Sequence, residues 1–140
     1  MSDVAANTVE LPEGQPAIRV LMMPRETNAH GTIFGGIILS YIDQAGAVGA
    51  IEAGCQRVVT VAMNKVEFHE PVFVGDLVSL YTNVEHVGRT SIVVHVDVRA
   101  RRQRAAGAEV SVTEATVTYV NIDETGGPVP GDLVGEDPVD

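Results

Sequence analysis

The chain has 140 residues, enough for one domain with a substantial core and too few for two of ordinary size. Apolar residues make up 45 % of it but aromatics only 4 %, so its core has to be built from Val, Ile, Leu, Ala and Met. A formal net charge of -10 argues against nonspecific attraction to nucleic acid or to an anionic membrane, and no apolar run approaches the ~20 residues that span a bilayer.

Residues 1–16 are polar, carry Pro12, Gly14 and Pro16, and lack the basic-then-apolar order of a secretory leader; a loose N-terminal segment of a cytoplasmic protein is expected. Residues 17–23 read as a first strand, stopped by Pro24. The loop RETNAHGTIFGG follows, rich in helix-breaking and capping residues. Residues 37–54 have the length and Ala content of a helix of about five turns, in which Gly46 and Gly49 would let a sheet approach closely. From Ile33 to Ala53 only Asp43 and Glu52 are charged, so this helix is predicted to be buried nearly all round.

Four stretches rich in Val, Ile and Thr come next, at residues 58–69, 77–86, 90–103 and 109–122. The third places Ile92, Val94, Val96 and Val98 on one face and Val93, His95, Asp97 and Arg99 on the other. Turn signals separate the stretches: Glu70-Pro71 with Gly75-Asp76, then Val87-Gly88, then Ala105-Ala106-Gly107. Strand, apolar helix and four strands predict an α+β domain over residues 17–122, one antiparallel sheet curled round one long central helix. Residues 123–140 contain six acids and no Lys or Arg, carry -6 of the total charge, and read with their Gly and Pro as a flexible acidic tail. The single cysteine, Cys55, cannot form an internal disulfide and reads as packing.

Asp43 is anomalous in so apolar a helix, because desolvating a carboxylate costs free energy unless something compensates. Gly35 and Gly36 stand seven or eight residues earlier, at the expected helix start. Amides there are unshielded and can donate to a carbonyl oxygen that gains negative charge. Seven residues is about two turns, roughly 10 Å, so the aspartate and the amides share a face with room for a carbonyl carbon and a water. Asn28 in the preceding loop can shape a turn or position a water through its amide. Thr60, at the next strand's start, is either simply a β-former or a catalytic residue.

Gly88, Arg89, Thr90 and Ser91 combine a guanidinium, two hydroxyls and accessible amides, suiting a pyrophosphate, although an ordinary turn has the same composition. Arg99 and Arg101, with Arg102 and Arg104 beyond, form either a phosphate-binding rim or a solvated one. One Cys and four scattered His (His30, His69, His86, His95) show no metal-ligand spacing.

The string N28-A-H-G31-T-I-F-G35-G36 with Ser40 and Asp43, then V58-V-T-V, the P71-V-F-V-G75-D76 turn and V87-G88-R89-T90-S91, resembles the bacterial YciA-like acyl-CoA thioesterases, relatives of the mammalian cytosolic acyl-CoA hydrolases. The likeness runs from about Val20 to Ile122. It implies a hotdog fold and hydrolysis of fatty acyl-CoA to free acid and CoA without a cofactor. It also implies sites at subunit interfaces, hence at least a dimer and commonly a hexamer built as a trimer of dimers. By position, Asp43 would be general base or nucleophile, Asn28 a partner from another subunit, Gly35 and Gly36 the carbonyl donors, and Gly88 to Ser91 the CoA contacts. Phe34 stands where many related thioesterases carry His, in agreement with the YciA branch. The alternative is a noncatalytic acyl-CoA sensor or carrier using the same groove; retention of both Asp43 and Asn28 argues against it.

Overall fold

Period-two Val and Ile in the predicted strands become one five-stranded antiparallel sheet in the computed structural model of the protein, which describes residues 14–102 and 108–131. The elements are β1 (Ile18–Leu21), α1 (Gly35–Glu52), β2 (Val58–Phe68), β3 (Leu77–Val87), β4 (Ser91–Arg101) and β5 (Glu109–Asn121), with a short 3-10 turn at Pro24–Glu26. The strand order is β1-β3-β4-β5-β2, so β2, first of the four long strands in the chain, lies at an edge. The Ala105 to Gly107 turn and Arg104 fall outside the described residues.

Alternation along β4 decides which face is covered. Ile92, Val94, Val96 and Val98 are all fully buried under α1, with Ile38, Ile42, Ala45 and Ala50 of the helix packed against them. Burial of each of these Val and Ile side chains contributes about 1.5–3 kcal/mol. The opposite face carries Val93, His95 and Asp97, which are half-buried. Gly75, at φ +90°, makes the tight entry to β3 that its sequence position suggested.

The helix is not enclosed all round. Its sheet-facing stripe is buried, but Ser40, Gln44, Ile51 and Glu52 are exposed in the single chain. A sheet covers one side of a helix, and among the described residues there is no second layer for the other. Gly46 and Gly49 do bring helix and sheet together. A methyl at Gly49 would lie 2.8 Å from Thr82 Oγ1, and one at Gly46 would overlap the Tyr119 hydroxyl.

The acidic tail begins in order. Asp123 Oδ1 accepts from Thr125 Oγ1 (2.7 Å), Gly127 N (2.9 Å) and Thr125 N (2.9 Å), and these donors hold its carboxyl below the usual range. The chain then runs back along β5, Val129 N donating to Asn121 O at 2.9 Å. Asn121 is 1 % exposed and joins three segments. Its Oδ1 accepts from Gln56 N (2.9 Å) and Arg57 N (3.3 Å), and its Nδ2 donates to Val129 O at 3.1 Å.

Gly to Ala at an open helical position stabilises by about 1 kcal/mol. Here Gly46→Ala is expected to reverse that sign and cost about 1–3 kcal/mol through overpacking against an immobile Tyr119. Urea denaturation at fixed protein concentration checks it, with Gly36→Ala, where an added methyl meets nothing within 4 Å, as the comparison.

Candidate active site

Register carries Asp43 to its partners. Thr60 of β2 is opposite Tyr119 of β5, which is opposite Ile92 of β4, which is opposite Val87 of β3. Residues directly opposite in antiparallel strands share a face, so this row lies under the helix. Thr60 Oγ1 donates to Asp43 Oδ1 at 2.6 Å, and Tyr119 Oη donates to the Asp43 main-chain carbonyl at 2.6 Å. Burial first, and then the Asp43 carboxylate, push the Tyr119 pKa upward, while the Ala47 N–H beside the same hydroxyl opposes the shift. The phenol therefore stays protonated and serves as a donor at neutral pH. Asp43 is half-buried, with its side chain held from β2 and its backbone from β5.

Gly35 and Gly36 begin α1, as their position suggested. Ile37 is the first residue whose amide reaches back, to Phe34 O at 3.1 Å, which leaves the two glycine amides as the helix's leading donors. Beside them is a recess of about 240 Å³ lined by Ile33, Gly35, Ile38 and the segment from Phe68 to Val72, His69 and Glu70 included. Asp43 does not line it. Seven residues along the helix put the carboxylate about 10 Å from these amides, two turns further on from the recess.

Asn28 is occupied by its own loop. Its Oδ1 accepts from His30 N (2.8 Å) and Thr32 N (3.2 Å), and its Nδ2 donates to Thr32 Oγ1 at 2.8 Å. These bonds fold residues 28–32 back toward the helix start, where Ile33 N donates to Val72 O. Within one chain Asn28 makes no hydrogen bond to Asp43. His30 is exposed.

The comparisons with known proteins agree with this layout. The profile of the thioesterase superfamily matches residues 30–106. An uncharacterized acyl-CoA thioester hydrolase of Zymomonas mobilis is 44 % identical over 113 residues, 81 % of this chain and 75 % of that protein. The acyl-CoA thioester hydrolase YciA of Escherichia coli is 38 % identical over 125 residues, covering 88 % and 95 %. A hexameric hotdog-fold thioesterase of Campylobacter jejuni superposes with TM-score 0.81 at 48 % identity, covering 85 % of this chain and 91 % of that one. The chain belongs to the thioesterase superfamily, in its YciA branch. Its architecture is the hotdog fold.

In this YciA-type chain the segment Gly88 to Ser91 is the β3–β4 hairpin, closed by Gly88 N donating to Ser91 O at 2.8 Å. It continues from Val87, so it lies at the same end of the sheet as Thr60, three strands and roughly 14 Å across. Gly88 is buried, Arg89 is exposed, and Thr90 and Ser91 are half-buried.

The arginines do not form a free basic rim. Arg99 is 4 % exposed and bonded to Asp97 Oδ2 through Nη2 (2.6 Å) and Nε (3.0 Å). Arg101 lies 3.8 Å from Glu109. Arg102 reaches Asp76, Glu70 and the Pro71 carbonyl, with its guanidinium 5.1 Å above the Phe73 ring. Arg99 departs from simple alternation because of a register shift between Val98 and Arg99.

Two features escaped the sequence. Tyr119 gave no signal, because a buried Tyr needs a partner and this one is a main-chain carbonyl 76 residues away. Glu67, His69 and Glu114 converge on the outer face of the sheet, where no ligand spacing was visible because 45 residues separate His69 from Glu114.

Tyr119→Phe removes a donor from the turn that carries Asp43. It is expected to destabilise the fold by about 1–3 kcal/mol, with a urea midpoint lowered at unchanged slope.

Proposed function

We propose that the protein is an acyl-CoA thioesterase that hydrolyses fatty acyl-CoA to the free acid and CoA in the cytoplasm. The observation that carries this reading is the Asp43 carboxylate, fixed by Thr60 at 2.6 Å on the same helix that opens with the bare amides of Gly35 and Gly36. The naming of the YciA and Zymomonas relatives as acyl-CoA thioester hydrolases supports the substrate class. Among the described residues no helix is long and apolar enough to cross a membrane.

In this reading Oδ1 of Asp43 is taken by Thr60, and Oδ2 accepts a proton from the attacking water. The water oxygen bonds to the thioester carbon, and the carbonyl oxygen becomes an oxyanion stabilised by Gly35 and Gly36 N–H. The carbon–sulfur bond then breaks, and the proton held by Asp43 neutralises the departing CoA thiolate. No step is assigned to a cofactor. Asn28 would enter from a neighbouring subunit, and Gly88, Arg89, Thr90 and Ser91 would hold the nucleotide end of CoA.

Self-association follows from the same geometry. Asp43 does not line the recess beside the amides of its own chain, and the edge strand β2 exposes Val59 (43 %), Val61 (56 %) and Phe68 (54 %). A dimer is the least assembly that completes the site, and a hexamer built as a trimer of dimers is the form proposed, in keeping with the hexameric Campylobacter relative.

Asp43→Asn is expected to lower kcat by roughly 10² to 10⁴ in a thiol-release assay while CoA affinity is retained; near wild-type turnover would refute the assignment. Thr60→Val is expected to cost about 10- to 100-fold, the loss of a hydrogen bond to a charged group, and Thr60→Ser to restore most of it. Single turnover in ¹⁸O-water should leave Asp43 unlabelled; label in its carboxylate would mean direct attack through an anhydride.

A further inference from the structure

On the face of the sheet opposite the helix, strand register assembles a group of side chains that the hydrolytic reading does not use. Glu67 of β2 is opposite Glu114 of β5, and His69, just past the end of β2, turns its ring to Glu114. His69 Nε2 lies 2.8 Å from Glu114 Oε2 and 3.8 Å from Glu67 Oε1, and one ligand atom from each of the three residues falls within 4.8 Å of the others. Two ligands bound to one first-row divalent ion at about 2.0–2.1 Å in tetrahedral geometry are about 3.3 Å apart. The observed separations straddle that value.

Charge points the same way. Glu67, Glu85 and Glu114 are gathered here, and among the described residues no Lys or Arg is ion-paired to any of them; their partners are His69 and His95. Arg99, Arg101 and Arg102 are paired instead with Asp97, Glu109, Glu70 and Asp76. Behind the three candidate ligands stands a supporting layer. His95 Nε2 is 3.4 Å from the second oxygen of Glu114, and His95 Nδ1 is 3.7 Å from Glu85 Oε2. A carboxylate–imidazole pair backing a ligating group is the arrangement that orients metal ligands.

We propose that Glu67, His69 and Glu114 form a binding site for a borderline first-row divalent cation of the zinc type, with His95 orienting Glu114. One nitrogen and two carboxylate oxygens match such an ion, and an all-oxygen preference as for Mg²⁺ does not account for the histidine. The ion would clip β2 to β5 beside the register irregularity between Asn64 and Glu67, where Lys65 sits at φ +54°. Glu67 and Glu114 pair across β2 and β5, and His69 also borders the recess beside Gly35, so ion binding and not hydrolysis is the readout of the proposal.

The test uses the full chain, stripped with a chelator and titrated with Zn²⁺ against a chromophoric competitor, with Co²⁺ absorption reporting coordination. Wild type is expected to bind one ion per chain and to gain thermal stability on binding. His69→Gln and Glu114→Gln are each expected to weaken binding more than 10-fold and to abolish the thermal gain, and His95→Gln to weaken it about 10-fold. His86→Gln, an exposed histidine outside the cluster, should leave affinity unchanged. Circular dichroism of each metal-free variant separates lost ligation from lost folding. Equal affinity in wild type and His69→Gln, or Mg²⁺ competing on a par with Zn²⁺, overturns the proposal and reduces the cluster to a hydrogen-bonded acidic patch.

Discussion

The absence of a side chain at Gly46 is the constraint on which the rest of the site depends. It admits the Tyr119 hydroxyl to the backbone of α1, where it meets the Asp43 carbonyl and faces the Ala47 amide. That contact fixes the height and rotation of one helical turn against β5. Thr60, directly across from Tyr119 on the next strand, then finds the Asp43 carboxylate within a short hydrogen bond. The aspartate is placed by register, since the same row of the sheet supplies both donors. A half-buried carboxylate with such a donor has its desolvation partly compensated, which explains how a charge persists in so apolar a helix.

The strands and most turns were legible because their physics is local. Alternating Ile92, Val94, Val96 and Val98 could only be one face of a strand, and Gly75 at positive φ is where a tight turn would put it. The Gly35–Gly36 start and the buried face of α1 were legible for the same reason. Enclosure of the whole helix was inferred from the scarcity of charge, but composition does not say what does the covering. The uncharged residues Ser40, Gln44 and Ile51 face outward in the single chain. Long-range pairing was the harder part. Thr60 was a candidate on sequence, yet its bond to Asp43 comes only with the fold; Tyr119 and the outer-face histidines depended wholly on register.

Charge is instructive in one place. Four arginines close together in sequence suggested either a surface for phosphate or a solvated rim. Among the three that are described, each is turned to an internal carboxylate, and Arg102 serves the turn before β3: it grips Asp76, whose Oδ2 also accepts the Phe73 amide at 3.0 Å. A buried guanidinium without such partners would be costly, so acids brought alongside by pairing claim it first. Of the two basic features proposed for an anionic ligand, the β3–β4 hairpin with exposed Arg89 keeps its cation open to solvent.

Asn121 gives the chain an unexpected economy of wiring. One amide group holds the exit of the helix at Gln56 and Arg57, the last rung of β5, and the returning segment at Val129. The stretch just beyond Arg57 is the beginning of β2, which delivers Thr60. What looks like an expendable appendage after the last strand is thus mechanically continuous with the floor beneath the carboxylate, and trimming the protein for convenience at residue 122 would loosen that floor from below.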